Sequence, residues 1–179
     1  MMSVATLFDN FKEWRLAAKA NPLFMPGVIG AILVALADQG SKAWIVHSVK
    51  LREIRHIDLS PIFDLTWVQN YGASFGMLAG GLASRIFLSI LSFSIACFLI
   101  GWLGRVDRKI AATGIAFIVG GALGNLYDRV AYGYVIDFLD FSGLWFPWVF
   151  NVADMAINVG IACLILDAFL TRDIPETKS

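Results

Sequence analysis

The sequence contains few charged residues for its length. Fourteen Lys and Arg are matched by fourteen Asp and Glu, so charged residues make up 16% of the 179 residues and the formal net charge is zero. A soluble domain usually carries about a quarter charged residues. The deficit excludes an ordinary soluble domain, and the zero net charge gives no general attraction to nucleic acid. We therefore expect no nucleic-acid partner.

Cysteine and histidine are equally scarce, with two of each in the chain. Cys97 and Cys163 fall inside apolar runs, where we expect them to act as small buried hydrophobic residues rather than as a disulfide. His47 and His56 have no Cys, His or Glu at the spacing of a metal site. The sequence therefore predicts no bound metal and no cofactor.

What the sequence has in abundance is apolar residues, which make up 58% of the chain. A helix that crosses a bilayer needs about 20 predominantly apolar residues. Four segments meet this length, and they predict an all-α integral membrane protein with four transmembrane helices: Met25–Val46, Ser84–Gly104, Ile110–Tyr127 and Val149–Leu170.

These spans divide the chain into three parts. Residues 1–24 are polar and amphipathic and lack the apolar run and cleavage site of a signal peptide, so they form either an interfacial helix or a disordered tail. Residues 25–170 form the four-helix transmembrane domain, and residues 171–179 form a short tail. Four spans place both termini on one side of the membrane.

Basic residues predict which side that is. The short turn Arg105–Lys109 holds three basic residues, and the N-terminal segment adds three more. Short basic loops stay on the cytoplasmic side. Both termini are therefore expected to be cytoplasmic, and the loops at about 47–83 and 128–148 are expected to face outward.

The first outer loop has a pattern of its own. Apolar residues recur with partial alternation over residues 54–69, and Pro61 interrupts them. This pattern predicts two short strands, which would form a small outward-facing β-rich region between the first and second spans. Gly72 and the glycines that follow it mark turns or close backbone approaches before the second span.

Polar residues recur at helical spacing within the first span. Asp38 and Lys42 are four residues apart, so their side chains share a face and can pair. The pair is either a self-neutralising end of the helix or the polar wall of a site. Asp167, near the inner end of the fourth span, is expected to be solvated.

The third and fourth spans carry polar stripes as well. Gly120 and Gly124 form a small-xxx-small pair that allows close helix packing, and polar residues follow them at the outer end of the span. In the fourth span three polar residues are expected on one helix face. Polar groups at membrane depth usually face a protein interior and have a function. The residues are Asn125, Asp128 and Arg129 in the third span, and Asn151, Asp154 and Asn158 in the fourth.

Two aspartates carry the functional hypothesis. Asp137 lies in the second outer loop, near the point where the helix of Asp154 begins. Two carboxyl groups held close together in a low dielectric cannot both ionise easily, so the pair shares a proton. Such a pair can activate water for peptide hydrolysis. A proton- or cation-coupled carrier that uses Asp38, Asp137 and Asp154 would need the same ingredients.

Five motifs occur in the order found in one known family. The sequence resembles the lipoprotein signal peptidases, the bacterial signal peptidase II enzymes, over about residues 25–170. The resemblance rests on Asp38–Lys42, Asn70–Gly76, Gly120–Arg129, Val135–Phe138 and Phe150–Asp154.

The resemblance implies an aspartic endopeptidase of the bacterial cytoplasmic (inner) membrane, with its active site near the outer, periplasmic face. Its substrate would be a prolipoprotein with a diacylglyceryl-modified cysteine, cut just before that cysteine among membrane lipids. Inhibition by globomycin-like cyclic peptides is implied as well. Asp137 and Asp154 would be catalytic. The supporting and substrate-binding residues would be Asp38, Lys42, Asn70, Gly72, Asn125, Asp128, Arg129 and Asn151.

The carrier hypothesis remains as the alternative. Many carriers are built from internal repeats, and four spans show no evident inverted repeat. The acidic residues also cluster toward the outer end of the spans. A purely structural membrane subunit would leave the polar face of the fourth span unexplained.

Overall fold

The structure is a computed structural model that describes residues 4–72 and 81–172. The second half of the Asn70–Gly76 motif and the glycines at 76 and 80 lie outside these residues. The helices are α1 (Val4–Ala20), α2 (Phe24–His47), α3 (Leu51–Ile54), α4 (Leu82–Leu103), α5 (Lys109–Ala131) and α6 (Val152–Arg172). The strands are β1 (His56–Ser60), β2 (Phe63–Asn70), β3 (Val135–Asp140) and β4 (Val149–Phe150), and a 3₁₀ turn covers Ser142–Leu144.

Four of these helices are long and apolar enough to cross a membrane, which confirms the predicted number of spans. They are α2, α4, α5 and α6. In α5, 67% of the apolar stretch is buried inside the protein, whereas the share in the other three is 17–22%. Helix α5 is therefore the centre of the bundle, and the other three expose apolar side chains as a multi-pass membrane protein does.

The N-terminal segment is helical rather than a disordered tail over the residues described. Helix α1 docks against the end of α4, where the indole Nε1 of Trp14 donates a hydrogen bond to the carbonyl of Gly101 at 2.9 Å. Just after α1, the Asn21 amide donates to the carbonyl of Val106 at 2.7 Å. These bonds hold α1 against the α4–α5 turn.

The sheet at the other end of the bundle is antiparallel, with the strand order β1-β2-β3-β4. Strands β1 and β2 confirm the prediction of two short strands around Pro61. The prediction was wrong in placing the sheet between the first and second spans alone. Strands β3 and β4 come from the loop between α5 and α6, and β3 pairs with β2 through Val68 and Asp137. Local alternation cannot reveal a pairing between segments about 70 residues apart.

A small apolar core fixes the sheet to the bundle. Ile45 of α2 and Leu51 of α3 pack against Trp67 of β2 and against Ile136 and Phe138 of β3. All five side chains are buried. The sheet therefore covers the end of the bundle where α2 and α5 finish and where α4 and α6 begin.

Glycines set the close packing of α5 against its neighbours. Gly120 packs on α2, where an added Cβ would lie 2.5 Å from the carbonyl oxygen of Ala31. Gly124 packs on the Asp38 carboxylate. The small-xxx-small prediction is confirmed, and it brings α5 close enough to α2 for their polar residues to meet.

Two predictions about single residues were wrong. Asp167 is buried rather than solvated, because Arg108 from the α4–α5 turn donates to it from Nε at 3.0 Å. Cys97 is exposed on α4 rather than buried, on a helix whose outer face is apolar. In both cases the side chain's surroundings depend on elements that are distant in sequence.

The contact between α5 and α6 generates a stability prediction. A Cβ on Gly160 of α6 would lie 2.6 Å from the Gly114 carbonyl oxygen and 3.0 Å from the Ile118 amide nitrogen. Gly160→Ala should therefore lower the free energy of unfolding by roughly 1–3 kcal/mol. The matched control is Gly101→Ala in α4, where an added Cβ meets nothing within 4 Å. Thermal unfolding in detergent should show a lower Tm for Gly160→Ala only, and equal Tm values would contradict the packing.

Candidate active site

A buried ion cluster joins α2 to α5. The ammonium of Lys42 lies 2.8 Å from a carboxylate oxygen of Asp38 and 2.8 Å from one of Asp128. All three side chains are buried. The predicted pairing of Asp38 with Lys42 is confirmed, and Asp128 is an additional partner. We call these three residues the Lys42 cluster. Two carboxylates on one ammonium leave this cluster with a formal charge of −1.

The carboxylates of the Lys42 cluster also hold backbone amides. Asp38 accepts the N–H of Ala153 at 2.9 Å, and Asp128 accepts the N–H of Ile136 at 3.0 Å. The Gln39 amide donates to Asp38 at 3.0 Å and to Asp128 at 2.9 Å. The cluster therefore fixes the first turn of α6 and the start of β3 relative to α2 and α5. Sequence reasoning did not anticipate these backbone partners.

Helix α6 begins with a reciprocal cap. The Asn151 side-chain oxygen accepts the N–H of Asp154 at 2.9 Å, and the Asp154 carboxylate accepts the N–H of Asn151 at 3.3 Å. This is the geometry of a capping box, in which two orphan amides of a helix start are satisfied together. The spacing Asn-x-x-Asp is the sequence signal that could have located the start of α6.

The cap corrects the predicted stripe on the fourth span. Asn151 precedes the helix rather than lying on it, since Val149 and Phe150 pair with β3 and α6 starts at Val152. Asn158 is exposed on the outside of the bundle. Of the three polar residues expected on one face of the span, Asp154 alone lies within the helix and belongs to the site.

Asn151 brings the two aspartates together. Its Nδ2 donates to a carboxyl oxygen of Asp137 at 2.6 Å, while its backbone and side-chain oxygen hold Asp154 as described. The second oxygen of Asp137 accepts the Asn70 amide at 2.9 Å. Gly72 fixes Asn70 in turn, because its N–H donates to the Asn70 side-chain oxygen at 2.8 Å. Gly72 has φ of 81°, a conformation that favours glycine.

Asn125 links the Lys42 cluster to the aspartates. Its side-chain oxygen accepts from Lys42 at 3.3 Å and from Asn151 at 3.1 Å. Its Nδ2 donates to Asp154 at 2.8 Å. The Lys42 ammonium can only donate, so the amide oxygen of Asn125 must face it and the amide nitrogen must face Asp154. The positive charge of Lys42 thereby sets the orientation of a group that holds a carboxylate.

Arg129 lies at the edge of the same group of residues. Its guanidinium is half-buried and donates from Nη1 to the carbonyl of Asn125 at 3.3 Å. It also interacts electrostatically with Asp154, Asp137 and Asp128. Its remaining donors make it suited to hold a negatively charged or carbonyl oxygen beside the aspartates.

The protonation of Asp137 follows from its surroundings. Burial, together with the negative charge of Asp154, raises the pKa of Asp137 to about 7, although Asn70, Asn151 and Lys42 favour its ionised form. The side chain is 1% exposed. A carboxyl group with a pKa near 7 can hold a proton at neutral pH and release it, as acid–base catalysis requires.

A cavity of about 430 Å³ opens beside Asp137. Its walls include Asn70 and Tyr71 from the end of β2 and Trp148 from the chain before β4. The neighbouring loop exposes large apolar side chains, and Trp145 is 96% exposed. The site therefore combines a carboxyl group of high pKa with an open space beside it and an apolar rim.

An exposed acidic group occurs elsewhere on the sheet. His56, Asp58 and Asp64 place potential ligand atoms within 4.8 Å of one another, and two of these three residues are aspartates rather than Cys, His or Glu. Both ring nitrogens of His56 already contact protein oxygens, at 2.8 Å from Thr66 and 3.0 Å from Asp58. Exposed carboxylates of this kind are common without a metal, so we assign none.

The two aspartates and the eight supporting residues assigned to the site from the sequence lie in one connected group of contacts. Hydrogen bonds or ion pairs run from Lys42 through Asn125 and Asn151 to the two aspartates, and the rest attach to these residues as described above. They come from α2, β2, α5, β3 and α6. The chain folds so that residues about 115 positions apart meet at one end of the bundle.

The chain is similar to known proteins over most of its length. The family model described as signal peptidase (SPase) II matches residues 30–170. The lipoprotein signal peptidase of Caulobacter vibrioides is 45% identical over 146 residues, covering 81% of this chain and 86% of the relative. That of Pseudoalteromonas translucida is 42% identical over 155 residues, covering 83% and 91%.

The fold is similar to that of solved proteins as well. A bacterial membrane enzyme determined by the in meso method superimposes with a TM-score of 0.72 at 28% identity, covering 86% of this chain and 93% of the solved chain. A second such structure gives a TM-score of 0.69 at 29% identity. The family model covers most of the chain and the relatives exceed 40% identity over most of their length. The chain therefore belongs to the signal peptidase II family.

Proposed function

We propose that this protein is an aspartic endopeptidase that removes signal peptides from prolipoproteins, cutting just before a diacylglyceryl-modified cysteine. The proposal rests on one observation. Asn151 forms hydrogen bonds with both Asp137 and Asp154, and Asp137 borders an open cavity. Relatives that are lipoprotein signal peptidases support the choice of substrate.

In the proposed mechanism the aspartate pair shares one proton. Asp137, with its pKa near 7, holds that proton at the start and donates it to the carbonyl oxygen of the scissile bond. Asp154 takes a proton from a water molecule, whose oxygen attacks the carbonyl carbon. When the tetrahedral intermediate collapses, the C–N bond breaks and Asp154 passes the proton that it took from water to the nitrogen of the leaving cysteine. The hydroxyl that Asp137 protonated returns its proton to Asp137 as the new carboxyl group forms. No covalent intermediate forms, and the pair titrates as a unit.

The surrounding residues position the pair in this proposal. Asn70, Asn125 and Asn151 hold the carboxyl groups with amides whose orientation is fixed by other partners. The Arg129 guanidinium is placed to stabilise charge on the substrate oxygen. Donors preorganised in this way can each lower the barrier by roughly 3 kcal/mol in a site that excludes water. Lys42 acts through Asn125 as a positioning residue.

We infer the orientation in the membrane from the ends of the bundle. The basic turn Arg105–Lys109 and helix α1 lie at one end, and the sheet and the aspartates lie at the other. The positive-inside rule favours a cytoplasmic location for the basic end and for both termini. The aspartate pair would then lie near the outer face of the bacterial inner membrane, where substrate cysteines emerge.

The exposed loop before β4 supports entry of the substrate from the bilayer. Leu144, Trp145, Phe146 and Trp148 are all more than two-fifths exposed, as suits side chains in the membrane interface. The acyl chains of the substrate would stay in lipid while its peptide enters the cavity beside Asp137. Globomycin-like cyclic peptides are expected to block the same cavity. We also expect the stretch 54–76 to lie across the membrane interface as a lid and cradle over the substrate, although part of this stretch lies outside the described residues.

The alternative of a proton- or cation-coupled carrier is not favoured. Family membership speaks against it, and so does the distribution of charge. Asp38, Asp128 and Asp154 lie together at the sheet end of the spans, whereas Asp167 is paired with Arg108 at the opposite end. No carboxylate among the described residues of the spans lies between these two groups, as a relay would require.

Substitution of either aspartate should stop cleavage. Asp137→Asn and Asp154→Asn keep the shape of the side chain but remove its ability to transfer a proton. We expect initial rates on a lipidated prolipoprotein to fall by about 10²–10⁴-fold or more. Asp140→Asn is the control, since Asp140 lies on β3 but contacts Thr66 and Ser142 instead. Near-normal turnover by either substituted enzyme, with thermal unfolding confirming folded protein, would contradict the assignment.

The raised pKa of Asp137 predicts a pH dependence of stability. The folded protein keeps the proton up to pH of about 7, while the unfolded chain releases it near 3.8. Wild-type stability should therefore fall as pH rises from about 4 to 7, by on the order of a few kcal/mol. The Asn side chain of Asp137→Asn cannot ionise, so the Tm of this variant should rise relative to that of the wild type as pH increases from about 4 to 7. Above pH of about 7 the difference between the two Tm values should stay constant. A constant difference between pH 4 and 8 would contradict the shift.

Recognition through lipid predicts a difference between matched substrates. Burial of acyl chains contributes about 0.8 kcal/mol per CH₂ group. Prolipoproteins without the diacylglyceryl group should bind poorly and be cleaved slowly by the same enzyme in the same detergent. The measurement is the initial rate for lipidated and unlipidated forms of one substrate. Equal rates would show that recognition does not depend on the lipid.

A further inference from the structure

A second groove lies on the opposite side of β3 from the aspartate pair. Its volume is about 670 Å³, and it runs between α2 and α5 under the sheet. Ile136 lines it, whereas Asp137 lines the cavity described above. Neighbouring residues of a strand point to opposite faces, so the two spaces are separate. We call this space the back groove.

The back groove changes character along its length. Its lower wall is apolar and belongs to membrane-spanning helices, with Ala35 and Leu36 from α2 and Leu123 from α5. Its upper rim, at the sheet end, carries basic and aromatic side chains. Ala35 and His47 are twelve residues apart on α2, which is about 18 Å along the helix axis. The rim residues are His47, Arg52, Trp67, Tyr127, Tyr132 and Tyr134.

Two polar groups of the back groove have no partner within the described part of the chain. The indole Nε1–H of Trp67 is buried, with the whole side chain 4% exposed, and no acceptor lies within reach. A buried donor without an acceptor costs roughly 1–3 kcal/mol. The guanidinium of Arg52 is exposed and forms no ion pair with the described carboxylates. The Arg52 guanidinium is therefore accessible to an anionic ligand, whereas Trp67 Nε1 is enclosed by protein and cannot be reached from the groove.

We propose that the back groove binds one anionic glycerophospholipid from the bilayer. The phosphate would lie on Arg52 at the rim, and an acyl chain would run down the apolar wall of α2 and α5. This arrangement matches the order of groups in the lipid, with charge outermost and hydrocarbon deepest. The spacing of about 18 Å suits an acyl chain of ordinary length.

Occupancy of the back groove would support the Lys42 cluster. Lys42, Gln39 and Gly124 line the groove, and the first two contact Asp38 and Asp128 on the far side of this wall. A bound lipid would exclude water from the wall and stabilise the folded protein by mass action. The proposal is independent of the peptidase assignment, because its test measures binding and stability rather than cleavage.

The test compares substituted proteins purified in detergent free of phospholipid. Arg52→Glu reverses the charge at the rim. Arg55→Glu is the matched control, since Arg55 is an exposed arginine of the same loop that does not line the groove. Native mass spectrometry follows titration with phosphatidylglycerol or phosphatidylcholine, and thermal unfolding reports the shift in Tm caused by each lipid.

We expect the wild type and Arg55→Glu to bind one phosphatidylglycerol saturably. Arg52→Glu should raise the Kd about tenfold, as loss of a charge-assisted hydrogen bond to phosphate does. Soluble glycerol phosphate should not compete.

Three results would overturn the proposal. Equal Kd values for Arg52→Glu and Arg55→Glu would show that Arg52 does not hold the phosphate. Equal binding of phosphatidylcholine and phosphatidylglycerol would show that the site does not select an anionic lipid. Competition by soluble glycerol phosphate would mean that the site binds phosphate without needing acyl chains.

Discussion

The burial of one ammonium group, that of Lys42, is the constraint on which the site depends. Removing an ion from water costs several kcal/mol unless partners compensate for it, and here Asp38 and Asp128 do so at 2.8 Å each. Their other contacts hold the backbone of Ala153 and Ile136, which are the neighbours of the aspartates. The position of the acid–base pair is thus a consequence of charge compensation between the first and third spans.

Asparagine is the means by which this arrangement reaches the aspartates. An amide carries a donor and an acceptor at fixed positions and does not titrate, so it can orient a carboxyl group without adding a charge. Asn125 contacts Lys42 and Asp154, and Asn151 contacts Asp137 and Asp154, so each amide lies between two ionisable groups. Charged side chains in their place would add further desolvation to a site where Asp137 already holds its proton to a pH of about 7.

The parts of the site that depend on local spacing could be predicted from the sequence, and the parts that depend on distant contacts could not. Hydropathy located the four spans, and the i, i+4 spacing paired Asp38 with Lys42. The second partner, Asp128, needed the approach of α5 that Gly124 allows. Strands β3 and β4 could not be predicted because β3 forms by pairing with the distant β2, and β4 pairs with β3. The sequence prediction placed Asn151 on the fourth helix, because hydropathy does not reveal the side-chain cap after which α6 begins.

The hydrogen bond from Ala153 to Asp38 also bears on when the site can form during synthesis. Asp38 belongs to the first of the four described spans and Ala153 to the fourth, so the bond forms only after the fourth span has been made. Asp154 lies in that same fourth span, so the aspartate pair is incomplete until then. The site is therefore assembled late in synthesis, after the other three described spans.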